Sequence, residues 1–303
     1  MKKILIALGG NALIKEGEIG KFEEQIKNID ETTEKIAELI KQDYVIALTH
    51  GNGPQVGNLE IQMQCHAEIP KMPLDVEDAM TQGQIGYLIQ KSLRNLLPEK
   101  EIITLITEIE VKENDQAFEN PSKPIGPFYS KEKVEELKIK NFIEDSGRGY
   151  RKVVPSPEPK KVVQLKTIKE LIEKGKTVIS CGGGGIPVIK EKNKWKGIEA
   201  VIDKDKASEL LATSLGIKEM IILTDVEFVY LNYGKKNQKK IREIKVNELK
   251  ELMKKGEFGK GSMQPKIEAC IKFIENGGTK TIITSLKKLI PAINGETGTQ
   301  ITK

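Results

Sequence analysis

The sequence predicts a three-layer α/β/α sandwich around a mostly parallel sheet, with a small protruding piece, and three observations predict it. Apolar runs of strand length recur along the chain. They are continuous rather than alternating, as expected of strands covered on both faces. Each is followed by enough residues for a helix, the spacing of parallel strands joined by crossovers. The length of 303 residues suits a single large α/β domain spanning 1–303 or a core with a smaller lobe equally well.

Taken in order, the predicted strands are "KILIALG" at 3–9, "YVIALTHG" at 44–51, "EIITLIT" at 101–107, "KTVISCGGGG" at 176–185, "EMIILTDV" at 219–226 and "TKTIITS" at 279–285. Between the first two, Ile26, Ile29, Ile36, Ala37 and Ile40 fall mainly on one helical stripe. Residues 166–174, 205–215 and 262–275 also read as helices, and 246–254 as a shorter one. The rhythm breaks at about 117–160, where "ENPSKPIGPFYS", "DSGRGYRKVV" and "PSPEPKK" carry prolines too dense for a helix or a central strand. This stretch reads as an inserted lid, since long irregular insertions in compact enzymes often serve as binding loops. "NYGKKNQKKIREI" near residue 240 reads as a polar, solvated hairpin or loop.

Composition excludes several classes. Lys and Arg number 49 against 44 Asp and Glu, and the basic residues are scattered, which argues against a nucleic-acid partner needing a contiguous basic stripe. Cys65, Cys181 and Cys270 are odd in number and contain no CxxC, so neither a disulfide framework nor a zinc site is expected, and a reducing cytoplasm is. Cys65 beside His66 has the spacing of no usual metal site, and His50 is the other of the two imidazoles. The opening apolar run at residues 4–8 is too short for a membrane span or a signal peptide.

Four strand ends carry glycine or small polar residues: Gly9, Gly10 and Asn11; "THGNGPQVG", with Gly51, Asn52 and Gly53; Gly182 to Gly185; and Thr224 with Asp225. Ligands of open parallel sheets bind at the carboxyl ends of the strands. Glycines there let the backbone approach closely and offer N–H groups to an anion. The usual nucleotide motifs are absent: "GEFGKGS" at 256–262 has the wrong glycine spacing for a P-loop, and no G-x-G-x-x-G follows the first strand. Lys204 and Lys266 each fall at the start of a predicted helix, where the macrodipole favours carboxylates, so a bound anion is expected to offset them. Asp203 and Asp205 flank Lys204 as candidates to cap the helix, hold the ammonium or help bind a metal. Lys123 lies in the proline-rich excursion.

In their order and approximate spacing, "ALGGNAL", "THGNGPQVG", "NPSKPIGPFYS", "RGYRKVVPSPEP", "CGGGGIPV", "AVIDKDKASELLA", "LTDVEFVYLNYG" and "GSMQPKIEA" make the chain resemble the carbamate kinases of the amino acid kinase superfamily over essentially its whole length. The resemblance implies the amino acid kinase fold, with a sheet of eight or more strands, a protruding subdomain and a homodimer. It implies transfer between ATP and carbamate to give ADP and carbamoyl phosphate, with Mg²⁺, commonly run toward ATP in arginine breakdown. Carried over residue by residue, it implies that Gly9, Gly10, Asn11, Gly51, Asn52 and Gly53 surround the acceptor. It places Lys123 on the same anion, Lys204 and Lys266 on the ATP phosphates, and Asp205 between those lysines. Thr224, Asp225, Val226, Tyr230 and Met263 would form the nucleotide pocket, and no residue is assigned to a metal. Glu227 stands where the family commonly has Asp, Gln264 where a small apolar residue is frequent, and Lys152 where Arg is common.

That chemistry suits these residues. Carbamate is already an anion, so two histidines and no obvious base are no obstacle. The barrier lies in bringing it up to a triphosphate, which ammonium groups and peptide N–H donors lower. The Asn11 carboxamide would read a carboxylate and an amine without adding charge. The rival readings are another phosphotransferase of the superfamily, acting on acetylglutamate, aspartate, glutamate or UMP, and a non-catalytic nucleotide- or oxyanion-binding protein.

Overall fold

The computed structural model describes residues 1–15, 17–66, 68–137, 141–144, 149–259 and 263–303, and the side chain of Asn11 lies outside the described part. Its central sheet has eight strands, in the spatial order Glu243–Lys245, Thr299–Thr302, Lys280–Ser285, Glu219–Thr224, Lys2–Leu8, Tyr44–His50, Thr177–Ile179, Ile102–Thr104. Its pairings are parallel except that of Thr299–Thr302 with Lys280–Ser285. All six apolar runs of the sequence are strands of this sheet. The other two extend one edge, and both were unforeseen. Glu243–Lys245 begins at the end of the stretch that reads as a polar, solvated hairpin or loop, and a three-residue strand that turns only Ile244 inward leaves no pattern to read.

Successive side chains of each central strand enter opposite cores, which is why the runs are apolar throughout. Leu5, Ala7, Val45, Ala47, Ile222 and Ile283 face one side, packed by helices Leu165–Glu173, Lys204–Ser214, Val246–Lys254 and Met263–Glu275. Ile4, Ile6, Leu8, Ile46, Leu48 and Ile282 face the other, packed by Phe22–Lys41, Leu74–Leu96 and Leu289–Ile293. The predicted helices form, each within about a residue of its expected bounds. Leu74–Leu96 escapes pattern reading because its inner face carries Glu77, Asp78, Thr81 and Gln82 as well as Ile85 and Ile89. No helix among the described residues is long and apolar enough to cross a membrane.

The excursion contains a three-stranded antiparallel sheet, with Tyr150–Val154 between Lys123–Tyr129 and Phe142–Glu144. Pro124 and Pro127 sit on Lys123–Tyr129, an edge strand, where a missing N–H is tolerated. The expectation of no helix needs correcting: Lys131–Leu137 forms one in the proline-free piece. The excursion rests on helix Gly53–Gln62 through a contact between two glycines. A Cβ on Gly57 would lie 1.9 Å from the backbone nitrogen of Gly126, which itself has φ of +73°. A second small sheet, Lys194–Gly197, Ile186–Glu191, Glu108–Glu110 and Lys161–Val162, also stands outside the main one.

Candidate active site

Strands Glu219–Thr224, Lys2–Leu8, Tyr44–His50 and Thr177–Ile179 are neighbours and run parallel, so their carboxyl ends open on one edge. The four glycine-rich or small-polar segments read from the sequence follow these four strands. Gly9 is where the first strand passes closest to its neighbour: a Cβ there would sit 2.6 Å from the Leu223 carbonyl oxygen. The chain then turns through Gly10–Ala12, with the Ala12 N–H donating to the Gly9 carbonyl at 3.1 Å. After the second strand, Gly51 and Asn52 lead into helix Gly53–Gln62, with Pro54 in its first turn.

Two adjoining cavities open at this edge. The smaller, of about 250 Å³, is lined by Gly10, Gly51, Asn52 and Gly53 from the strand ends and by Lys123, Lys204, Asp205 and Lys266. The larger, of about 710 Å³, has Gly9, Thr224 and Asp225 in its wall. Gly10, Lys204 and Lys266 belong to both. The two lysines therefore stand at the boundary between a compartment for a small anion and one for a bulkier ligand.

Their ammonium groups are held by one carboxylate. Asp205 accepts from Lys204 through Oδ1 and from Lys266 through Oδ2, the latter at 3.0 Å. Asp203 does two jobs at the start of helix Lys204–Ser214. Oδ1 accepts from the backbone N–H of Asp205 at 2.9 Å as an N-cap, and Oδ2 accepts from Lys123 at 2.5 Å. Of the three roles open for Asp203 in the sequence, the structure gives it the cap; the ammonium it holds is that of Lys123, while Asp205 holds that of Lys204. Lys123 thus reaches from the excursion to the same cluster as Lys204 and Lys266.

Three ammonium groups, those of Lys123, Lys204 and Lys266, meet the two carboxylates of Asp203 and Asp205 here. Burial alone would raise the Asp205 carboxyl, but Lys204 and Lys266 hold it below the usual range; Asp203 is likewise held low against burial, chiefly by Lys123. Burial and the neighbouring Lys266 together lower Lys204, while Asp205 lifts Lys266 above its ordinary value in spite of burial. An incoming phosphate would relieve the strain on Lys204. His50 is no base at this edge. Burial pushes its imidazole down to about 4, and Nδ1 lies 3.0 Å from the Gly51 carbonyl oxygen, to which it donates.

The structure does not bring every expected residue to the cavities. Val226, Tyr230 and Met263 line neither. Tyr230 lies in a two-stranded hairpin against Phe228 and Tyr233, with ring centroids 6.4 Å and 5.9 Å away, and Met263 packs on the core. The side chain of Asn11, and Gly261 and Ser262 of the "GSMQPK" segment, lie outside the described residues. Of the departures, Glu227 accepts from Thr297, Gln264 donates to Glu268 at 2.8 Å and Lys152 donates to Glu60 at 2.6 Å. None of the three lines either cavity. Sequence reasoning missed Arg151 in the lining of the smaller cavity, and it named Gly183 only as part of the strand-end run Gly182 to Gly185. "RGYR" and the run of glycines were the signals available for them.

A family model described as the amino acid kinase family matches residues 2–285. A carbamate kinase of Pyrococcus furiosus is 49% identical over 310 residues, covering 99% of each chain, and one of Staphylococcus haemolyticus is 48% identical over 314 residues, covering 100% of each. Among solved structures, carbamate kinase from Giardia lamblia bound to AMP-PNP superimposes with a TM-score of 0.91 at 42% identity, covering 100% of this chain and 98% of its own. With this fold, these strand-end segments and full-length identity of this order, the chain belongs to the amino acid kinase family and, within it, to the carbamate kinases.

Proposed function

We propose that the chain catalyses reversible phosphoryl transfer between ATP and carbamate, giving ADP and carbamoyl phosphate. One observation carries the reading: Lys123, Lys204 and Lys266 converge from three separate segments on a cavity floored by glycine-rich strand ends. In this reading Gly10, Asn11, Gly51, Asn52 and Gly53 hold the acceptor, with Gly9 at the edge nearest the nucleotide. Lys204 and Lys266, at the boundary of the two cavities, neutralise the oxygens of the phosphoryl group as it passes between donor and acceptor. Lys123 meets the same anion from the lid, and Asp205 keeps the two boundary ammonium groups apart and aimed. The nucleotide fills the larger cavity beside Thr224 and Asp225, and Val226, Tyr230 and Met263, which lie outside that cavity, would meet only a part of it that extends beyond.

Mg²⁺ would enter on the nucleotide phosphates and add to the screening of their charge, as magnesium commonly does in kinases. Asp203 and Asp205 are committed to lysines, and no group of three acidic, histidine or cysteine residues suited to a metal occurs among the described residues. No side chain of the chain is assigned to the ion. The same reading carries a cytoplasmic homodimer working toward ATP in arginine-derived carbamoyl phosphate breakdown, without nucleic-acid or membrane partners. Val76, Met80 and Tyr87, exposed within about 40° of one another around helix Leu74–Leu96, support a subunit face there.

The test is ATP formation from ADP and carbamoyl phosphate, with acetyl phosphate as control donor. Turnover with carbamoyl phosphate is expected. Nucleotide binding without turnover on any donor would favour a non-catalytic binding protein, and turnover confined to a bulkier acylated donor another kinase of the family.

A further inference from the structure

Asn52 lines the smaller cavity, yet its side chain is fixed from behind by helix Leu74–Leu96. Its Nδ2 donates to Asp78 Oδ1 at 2.7 Å and to Thr81 Oγ1 at 2.9 Å. A carboxamide nitrogen has two hydrogens, so its donor capacity is used up. All three side chains are buried, which leaves no water to exchange for these partners.

Thr81 decides which end of the amide is nitrogen. With its one hydroxyl hydrogen on a helix carbonyl, that of Glu77 at 3.1 Å or Asp78 at 3.0 Å, the Thr81 oxygen accepts from Asn52. Turned over, the amide would set Asn52 Oδ1 against that oxygen, and the hydroxyl could donate to it only by giving up its helix carbonyl. Asp78 by itself would not settle the matter. Burial raises its carboxyl well above the usual range, and a protonated carboxyl can serve either end of an amide.

The geometry points to Asp78 and Thr81 as positioning residues that make Asn52 present only its carbonyl oxygen to the acceptor, so that the subsite selects a substrate carrying an N–H donor. This rests on the carbamate kinase reading and deepens it, by assigning how a carbamoyl group is told from an acyl group of the same shape. Carbamoyl phosphate has an NH₂ where acetyl phosphate has a methyl. Against the methyl, Asn52 Oδ1 loses water and gains no partner, the arrangement by which buried polar groups reject an isostere. Asn52 is then selective because its nitrogen is occupied elsewhere.

The experiment measures kcat/KM for carbamoyl phosphate in ATP formation and, in the same assay, the inhibition constant of acetyl phosphate as a competitor. Thr81→Val keeps the volume and removes the acceptor. We expect it to lower kcat/KM for carbamoyl phosphate by about tenfold, as loss of one well-formed hydrogen bond would. The inhibition constant of acetyl phosphate should stay the same or tighten. Thr81→Ser keeps the hydroxyl and should restore the wild-type values. Asn52→Leu, which removes both ends of the amide, should also erase the preference, and it carries the test if Thr81→Val fails to fold. Weakening of both ligands in parallel, or a preference unchanged in either variant, overturns the assignment. A wild-type enzyme that makes no ATP from carbamoyl phosphate overturns the reading beneath it, and is seen before any variant is made.

Discussion

Lys266 Nζ lies 3.0 Å from Oδ2 of Asp205, an ion pair that ties the first turn of helix Met263–Glu275 to the first turn of Lys204–Ser214. Because Lys204 occupies the other oxygen, removing either lysine leaves Asp205 with a partner, and the fold is expected to survive. Catalysis is not so protected. A donor aimed at charge that develops in a transition state is worth ~2.7–4 kcal/mol, so Lys204→Ala and Lys266→Ala should each lower turnover at least about a hundredfold. Turnover assays alongside thermal melts check this. Wild-type turnover in either variant would remove that lysine from the reaction.

A pH effect is expected away from the cavities. Glu77 is fully buried, and burial together with the charge of Glu60 and a side-chain hydrogen bond to it pushes its carboxyl up to about 7. Glu60 is itself engaged by Lys71 at 2.8 Å and Lys152 at 2.6 Å, which favour its ionised form over its neighbour's. A carboxyl raised in the folded state keeps its proton when the unfolded chain has released it. Stability therefore declines as pH climbs from about 4.5 toward 7, and the penalty persists above that. Glu77→Gln should match the wild type in Tm near pH 5 and exceed it near pH 8. An equal difference at both pH values would contradict the assignment.

The central sheet was legible because both of its faces are buried, so a strand such as Ile4 to Leu8 writes itself as unbroken apolarity. Glu243–Lys245 was not, since an edge strand with one inward residue has no such signature. The cluster of Lys123, Lys204, Asp205 and Lys266 could be proposed from motifs and from lysines misplaced at helix starts, whereas the clasp of Lys123 by Asp203 joins residues 80 positions apart and has no local signal. Asp78 and Thr81 escaped for a related reason. Polar residues on the inner face of a helix look like its outer face until the partner they hold is seen.

Lys123 reaches the cluster from the excursion, and its pairing with Asp203 competes with any anion that enters. Binding of ADP with a carbamoyl phosphate analogue should draw Lys123 onto the ligand and tighten the whole segment. Hydrogen exchange over 119–160 should slow when both are bound, and less with either alone. Exchange that is unchanged at saturation would argue against closure.

The seat of that excursion is the contact of Gly57 with Gly126. A methyl group on Gly57 would lie 1.9 Å from the Gly126 nitrogen and 2.0 Å from its Cα, and neither backbone atom can move without the strand Lys123–Tyr129 moving with it. Gly57→Ala should therefore lift the strand off helix Gly53–Gln62 and carry Lys123 away from Asp203 and the cavity. Its predicted signature is non-additivity: turnover should fall about as far as in Lys123→Ala, and the double variant should be little worse than Lys123→Ala alone, since both changes remove the same ammonium. Steady-state rates of the two single variants and the double variant decide the matter. Independent, multiplying losses would mean that Gly57 acts through helix Gly53–Gln62 and the strand-end residues before it, and that the excursion sits where it does for some other reason.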